Sequence, residues 1–294
     1  MFDLRYHVAS LAAVFLALII GILVGVGIAS QTTVSERDRI ILEDRIADLE
    51  RQVEGASEET DLLRRQQVAS ATYIDRSYPV VMAGRLRGVR VALLFIGQAN
   101  PGLQDAVSQT LTDASAPGLV RMRALLLPIE AEAVTGPMEA EDGATPALDE
   151  IGRRLGRELV RGGETPSWDA LAEVIVEGSL GGFLEEADAV VVAHTARINT
   201  RPTARFVSGI YQGLAASGVP AVGVERTNDR PSRISVYRAS GLSTVDSVDT
   251  QVGRVALAEV LRGGPEGHYG LKSTAEDGAV PPLEALPLAP VPGG

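Results

Sequence analysis

The segment from Val8 to Ala29 carries no charged residue, and its only polar side chain is Ser10. As a helix, about 22 residues span roughly 33 Å, which is enough to cross a bilayer core of about 30 Å. A surface helix of a soluble protein keeps a polar face, which this segment lacks. The segment therefore predicts a transmembrane anchor within residues 1–34. A cleaved signal peptide is the alternative, with Gly27–Ala29 as a small-x-small site, but signal peptides usually have apolar regions of about 7–15 residues.

Small residues recur at every fourth position of this segment and fall on one helix face. They are Ala9, Ala13, Ala17, Gly21, Gly25 and Ala29. In lipid, such a face lets two helix backbones approach closely, and Gly21-xxx-Gly25 is the short form of the pattern. We predict that this helix-pairing face joins two copies of the chain. The general abundance of glycine, 31 of 294 residues, is the other explanation.

Residues 35–75 are strongly charged and carry an apolar stripe with alternating spacings of four and three. The stripe consists of Leu42, Ile46, Leu49, Val53, Ala56, Thr60 and Leu63. This heptad seam predicts a coiled-coil helix and, directly after the small-residue face, a parallel homodimer. Gly55 weakens the helix by about 1 kcal/mol. A single amphipathic helix docked on its own domain is the alternative.

From residue 88 onward, apolar runs typical of buried strands alternate with amphipathic helices. The predicted strands are Val89–Gly97, Val120–Leu127, Ala187–His194 and Val219–Glu225, with an edge strand at Ile234–Tyr237. The predicted helices are Asn100–Ala114, Leu148–Val160, Trp168–Gly178, Thr203–Ala216 and Val252–Leu261, and residues 130–147 are predicted as a loop. This order predicts an α/β fold over residues 88–272, a mainly parallel-sheet, three-layer, Rossmann-like domain. The proline-rich residues 273–294 are predicted to be extended or disordered.

Composition excludes several classes of function. The absence of cysteine rules out disulfides, thiolate metal sites and cysteine nucleophiles. A net charge of −11 argues against nucleic acid as a partner, because phosphate contacts need a basic surface. No GxGxxG, GxxxxGK[ST] or G-x-S-x-G motif occurs. We therefore expect no enzymatic activity.

The carboxyl ends of the predicted strands carry the best candidate site. Ligands of open α/β sheets bind beyond these ends, where His194, Glu225 and Arg226 stand. Together they could form an acid/base site, although a histidine satisfied by a backbone carbonyl is the commoner arrangement. The loop Gly97–Gly102 could cradle an anion at a helix N-terminus or could be only a tight turn. The three histidines and four methionines show no metal-ligand spacing, so we predict no cofactor and no metal site.

Two blocks of the chain resemble an actinobacterial envelope family labelled copper transporter, or copper transport outer membrane protein of the MctB type, also called SteB. They are Leu4–Ile28 and Gly241–Gly270. The resemblance implies a single-pass cell-membrane protein with a cytoplasmic N-terminus and an extracytoplasmic C-terminal domain, an orientation that the flanking charges leave open. It also implies a role in copper homeostasis or transport, and copper enters only through this label. Alternatively, it implies control of cell separation with a SteA-like membrane partner that acts on peptidoglycan hydrolysis.

Overall fold

A computed structural model describes residues 4–29, 36–138 and 145–285 of the chain. The chain divides near residue 70 into two compact units, residues 1–70 and residues 71–294. The first unit contains helix α1 (Leu4–Ala29) and most of helix α2 (Glu36–Met82). The second unit contains the end of α2 and the α/β domain.

The segment Ser10–Gly27 of helix α1 carries no charged residue and is exposed in the single chain. By length and composition it can cross a membrane. The predicted apolar N-terminal helix is therefore confirmed.

Helix α2 is one continuous element of 47 residues and extends beyond the predicted end at residue 75. Its last turns contain Pro79, which removes one backbone donor. They are held because Tyr78 and Met82 are buried in the core of the second unit. The Tyr78 hydroxyl also donates to the Asp113 carboxylate at 2.5 Å.

The described residues of the second unit form a seven-stranded sheet in the order β3-β2-β1-β4-β5-β6-β7. The strands are β1 (Val91–Ile96), β2 (Leu119–Leu125), β3 (Val176–Leu180), β4 (Ala189–His194), β5 (Ala221–Val224), β6 (Ser243–Val245) and β7 (His268–Tyr269). All neighbouring pairs are parallel except β2 and β3. The predicted α/β fold with a mainly parallel sheet is therefore confirmed.

Helices cover both faces of the sheet. They are α3 (Pro101–Asp113), α4 (Ala131–Thr135), α5 (Leu148–Arg161), α6 (Pro166–Ile175), α7 (Arg201–Ala215), α8 (Ile234–Ala239) and α9 (Gln251–Leu261). Alternate residues of β1 enter two separate cores: Val91, Leu93 and Phe95 pack with α3 and α9, whereas Ala92, Leu94 and Ile96 pack with α5, α6 and α7. The result is the predicted three-layer arrangement.

Several predicted elements differ from the structure. Ile234–Tyr237 is not an edge strand but the start of α8, because Ile234 and Tyr237 are three residues apart and are both buried on one helix face. The helix predicted to end at Gly178 ends at Ile175, and the chain continues as the largely exposed edge strand β3, whose polarity concealed it. The loop predicted over residues 130–147 contains α4 and a short 3-10 turn, Gly136–Met138; its residues 139–144 lie outside the described part.

Residues 273–285, which the sequence predicts to be extended or disordered, are irregular in the structure but contact the α/β domain. Pro281 is buried, and the Asp277 carboxylate accepts the His268 backbone N–H at 2.8 Å. Glu276 and Glu284 pair with Arg238 and Arg262 at 2.6 and 2.7 Å. Acidic side chains on both sides of Pro281 therefore tie this irregular segment to the domain, and residues 286–294 lie outside the described residues.

Candidate functional site

A cavity of about 160 Å³ opens at the carboxyl ends of β1, β4 and β5. After β1 the chain continues to β2, toward one edge of the sheet, whereas after β4 it continues to β5, toward the other edge. Connections that run in opposite directions leave a crevice between β1 and β4, which is where α/β proteins commonly bind ligands. Its walls are Asn100, Leu103, His194, Thr195, Arg197, Val224, Glu225, Asp229, Arg230, Pro231 and Arg233.

The structure brings the predicted residues His194 and Glu225 to this cavity, whereas Arg226 does not line it. Arg226 instead pairs with Asp229, Nη2 to Oδ1 at 2.9 Å, and its backbone N–H donates to Oδ2 at 2.8 Å. Its guanidinium lies against the start of α3, so that a Cβ added to Gly102 would be 2.5 Å from Nη1. There α3 begins as predicted, with the Asn100 side chain accepting the Leu103 N–H at 3.0 Å.

His194 is held by two buried tyrosines. Its backbone N–H donates to the Tyr237 hydroxyl at 2.7 Å, and its Nδ1 lies 2.9 Å from the Tyr211 hydroxyl. Burial, helped by the positive charge of Arg233, lowers the pKa of His194 to about 4. Its Nε2 is buried and has no hydrogen-bond partner among the described residues. The imidazole is thus neutral at pH 7.

Glu225 is 3% exposed, and each of its contacts holds the chain around it. Oε1 accepts from the Ser232 hydroxyl at 2.8 Å and from Lys272 Nζ at 2.9 Å. Oε2 accepts the Arg233 N–H at 2.9 Å. A carboxylate with these partners stabilises the loop over residues 225–233. His194 is not among the hydrogen-bond partners of Glu225, so the two residues do not form the predicted acid/base pair.

Tyr211, Tyr237 and Lys272 were missed as part of this site. The tyrosines lie in α7 and α8, far from the strand ends in sequence. Lys272 is the single lysine of the chain, but nothing in the sequence identifies Glu225 as its partner.

Comparison with known proteins identifies the family. The sequence model described as "Copper transport outer membrane protein, MctB" matches residues 1–281. The chain belongs to the MctB family. Curated relatives named "Copper transporter MctB" from Mycobacterium bovis and Mycobacterium tuberculosis are 26% identical over 312 residues, covering 92% of this chain and 96% of the relative. The predicted resemblance to the MctB family is confirmed.

The donor atoms of this MctB-family chain do not form a recognisable copper cage in the described part. No group of three His, Cys, Asp or Glu residues lies close enough to hold a metal ion in residues 4–29, 36–138 and 145–285. Copper sites use several thiolate, thioether or imidazole ligands, and the cavity offers the single imidazole of His194. We therefore derive no copper-binding step from these residues.

The lowered pKa of His194 predicts a loss of stability in mild acid. An unfolded histidine has a pKa near 6.5, so the unfolded chain takes up the proton first as the pH falls. His194 should therefore lower the free energy of unfolding by about 2 kcal/mol between pH 7 and pH 5. Denaturation followed by the fluorescence of Trp168, the single tryptophan, measures this. The His194→Gln variant should lose this part of the pH dependence, and His268→Gln should retain it; parallel pH profiles for wild type and His194→Gln would contradict the assignment.

Proposed function

We propose that this MctB-family chain serves copper homeostasis in the cell envelope as a membrane-anchored, homodimeric scaffold without catalytic activity. The observation that carries the proposal is the apolar seam of α2, which is exposed in the single chain. Ile46, Leu49 and Val53 are 53, 58 and 68% exposed. With Glu50, Glu54 and Ser57 they line a shallow apolar groove on one helix face.

A long helix with an exposed apolar seam needs a partner. Most helical stability in proteins comes from burying an apolar face rather than from intrinsic propensity. The seam repeats every seven residues and is flanked by charges, which is the pattern of a helix that pairs in a coiled coil. A second copy supplies the same seam in the same register.

The glycines of α1 support the same proposal. A Cβ added at Gly21 or Gly25 would meet no atom within 4 Å, so packing inside the single chain does not require glycine there. In a membrane, a flat small-residue face favours contact with another helix. We propose that it pairs with the same face of the second copy, just before the seam.

The proposed role in copper homeostasis rests on membership of the MctB family. The curated relatives are named copper transporters, and the apolar α1 fits the membrane location. We propose that α1 spans the cell membrane once, with the α/β domain outside the cytoplasm. Control of cell separation with a SteA-like partner stays a prediction of the resemblance, because no observation favours it.

The dimer is tested by the mass of the full-length protein in detergent, measured by light scattering. We expect twice the monomer mass for the wild type. The variants Gly21→Leu/Gly25→Leu and Leu49→Gln/Val53→Gln should each weaken the dimer by at least about tenfold, because the first separates the helices and the second removes seam contacts.

The matched control is Leu18→Ile/Leu23→Ile, which changes α1 but leaves the small-residue face intact. It should remain dimeric. A monomeric wild type would contradict the proposal, and a ring of several copies would favour a pore instead. In cells lacking the gene, the wild type but not Leu49→Gln/Val53→Gln should restore copper tolerance; equal restoration would contradict a dimeric scaffold.

A further inference from the structure

The cavity between β1 and β4 has an unbalanced charge. Each of its two lining carboxylates pairs with a basic residue that does not line the cavity: Asp229 with Arg226 at 2.9 Å, and Glu225 with Lys272 at 2.9 Å. Among the described residues, the three lining arginines Arg197, Arg230 and Arg233 have no carboxylate partner. The cavity is therefore locally positive, although the net charge of the chain is −11.

The guanidinium groups of the three arginines contribute little to holding the fold. That of Arg233 makes one hydrogen bond, Nη2 to the Ala196 carbonyl at 3.3 Å. Arg197 and Arg230 are exposed and have no hydrogen bond or ion pair with any described residue. Several arginines that line one cavity without a carboxylate partner are matched by an anion with several oxygen acceptors.

The start of α3 adds to the positive field. Asn100 and Leu103 of this helix end line the cavity, and a helix N-terminus carries partial positive charge. The guanidinium of Arg226, which is paired with Asp229, lies against Gly102 at that end of the helix.

We propose that this cavity binds a compact anion carrying a phosphate group. Its volume of about 160 Å³ accommodates a phosphate group together with a small substituent. A second cavity of about 430 Å³ shares Asp229, Arg230 and Pro231 with it and is otherwise lined by Thr227, Ser232, Lys272, Ser273 and Thr274. The hydroxyl groups that line this second cavity favour a ligand whose phosphate is esterified to a small polar group.

Calorimetric titration of the full-length protein in detergent with inorganic phosphate and with glycerol 3-phosphate tests the site. We expect saturable binding with a dissociation constant below about 1 mM at an ionic strength of about 0.1 M. Arg197→Gln and Arg230→Gln should each weaken it by about tenfold, because each removes a charge-assisted hydrogen bond. Tighter binding of glycerol 3-phosphate would identify a phosphate ester as the ligand, and equal affinities would identify free phosphate.

Arg87→Gln is the matched control. Arg87 is an exposed arginine of the same domain and precedes β1, so it lies near the amino ends of the strands and away from the cavity. It should leave the affinity unchanged, and all three variants should keep the thermal midpoint of the ligand-free protein. The proposal would be overturned by an absence of saturable binding up to about 10 mM phosphate, by equal weakening in Arg87→Gln, or by binding only to vesicles of anionic lipid. These outcomes do not depend on whether the protein is a dimer, because light scattering tests the oligomeric state separately.

Discussion

Replacing Gly209 with alanine should destabilise the α/β domain by about 3 kcal/mol, although Gly→Ala in a helix interior ordinarily stabilises by up to about 1 kcal/mol. The sign reverses because α5 and α7 cross with their backbones in contact. A Cβ at Gly209 would collide with the Asp149 carbonyl of α5, and one at Gly213 with the Arg153 carbonyl. Backbone atoms cannot rotate away as side chains can, so the helices would have to separate.

The crossing is reciprocal, which makes the expected effect large. A Cβ at Gly152 would meet the Phe206 carbonyl of α7, and one at Gly156 would lie 2.5 Å from the Ile210 carbonyl. Trp168 reports on the same region, since its Nε1 donates to the Leu155 carbonyl of α5 at 3.0 Å.

Urea denaturation followed by Trp168 fluorescence measures the change. The matched control is Gly178→Ala in the edge strand β3, where an added Cβ would lie in ordinary contact, 3.8 Å from the Ala124 Cβ. It should be neutral or slightly stabilising, because glycine weakens a strand interior. Equal stability of Gly209→Ala and Gly178→Ala would show that the helices can separate without cost.

Replacing Glu259 with alanine should destabilise the same domain by about 3–5 kcal/mol. Glu259 Oε2 lies 2.5 Å from Arg85 Nη1, and the two side chains are 0 and 6% exposed. Removal of the carboxylate leaves the Arg85 guanidinium buried, with hydrogen bonds to the Val81 and Glu284 carbonyls as its remaining contacts among the described residues. An uncompensated buried charge is among the costliest single changes in a core.

The double variant Arg85→Met/Glu259→Met separates charge from packing. It should recover most of the lost stability, because removing both charges also removes their desolvation cost. Glu276→Ala is the control for an exposed pair: Glu276 pairs with Arg238 but is 60% exposed, and its loss should change stability far less. A Glu259→Ala variant no less stable than Glu276→Ala would refute the burial argument.

Local patterns were enough to predict the main elements of this protein. The uncharged segment around Gly21 predicts α1 because bilayer crossing depends only on length and apolarity. The heptad spacing from Leu42 to Leu63 predicts α2, since helical periodicity is a local property. The buried strands β1, β4 and β5 are continuous apolar runs, which is the pattern that a strand covered on both faces requires.

Contacts between residues far apart in sequence were decided only by the tertiary structure. Nothing local marks Glu225 as the partner of Lys272, or Tyr211 and Tyr237 as the residues that hold His194, because each partner comes from another element. The small-residue spacing that drew attention to α1 also occurs in α5 and α7, where Gly152 and Gly209 lie in a tight crossing. Spacing and apolarity along the chain are enough for the long helices and the buried strands, but not for short or polar elements such as α8 and β3. The packing of the sheet sets which glycines, arginines and carboxylates meet, because that depends on the order of the strands rather than on spacing along the chain.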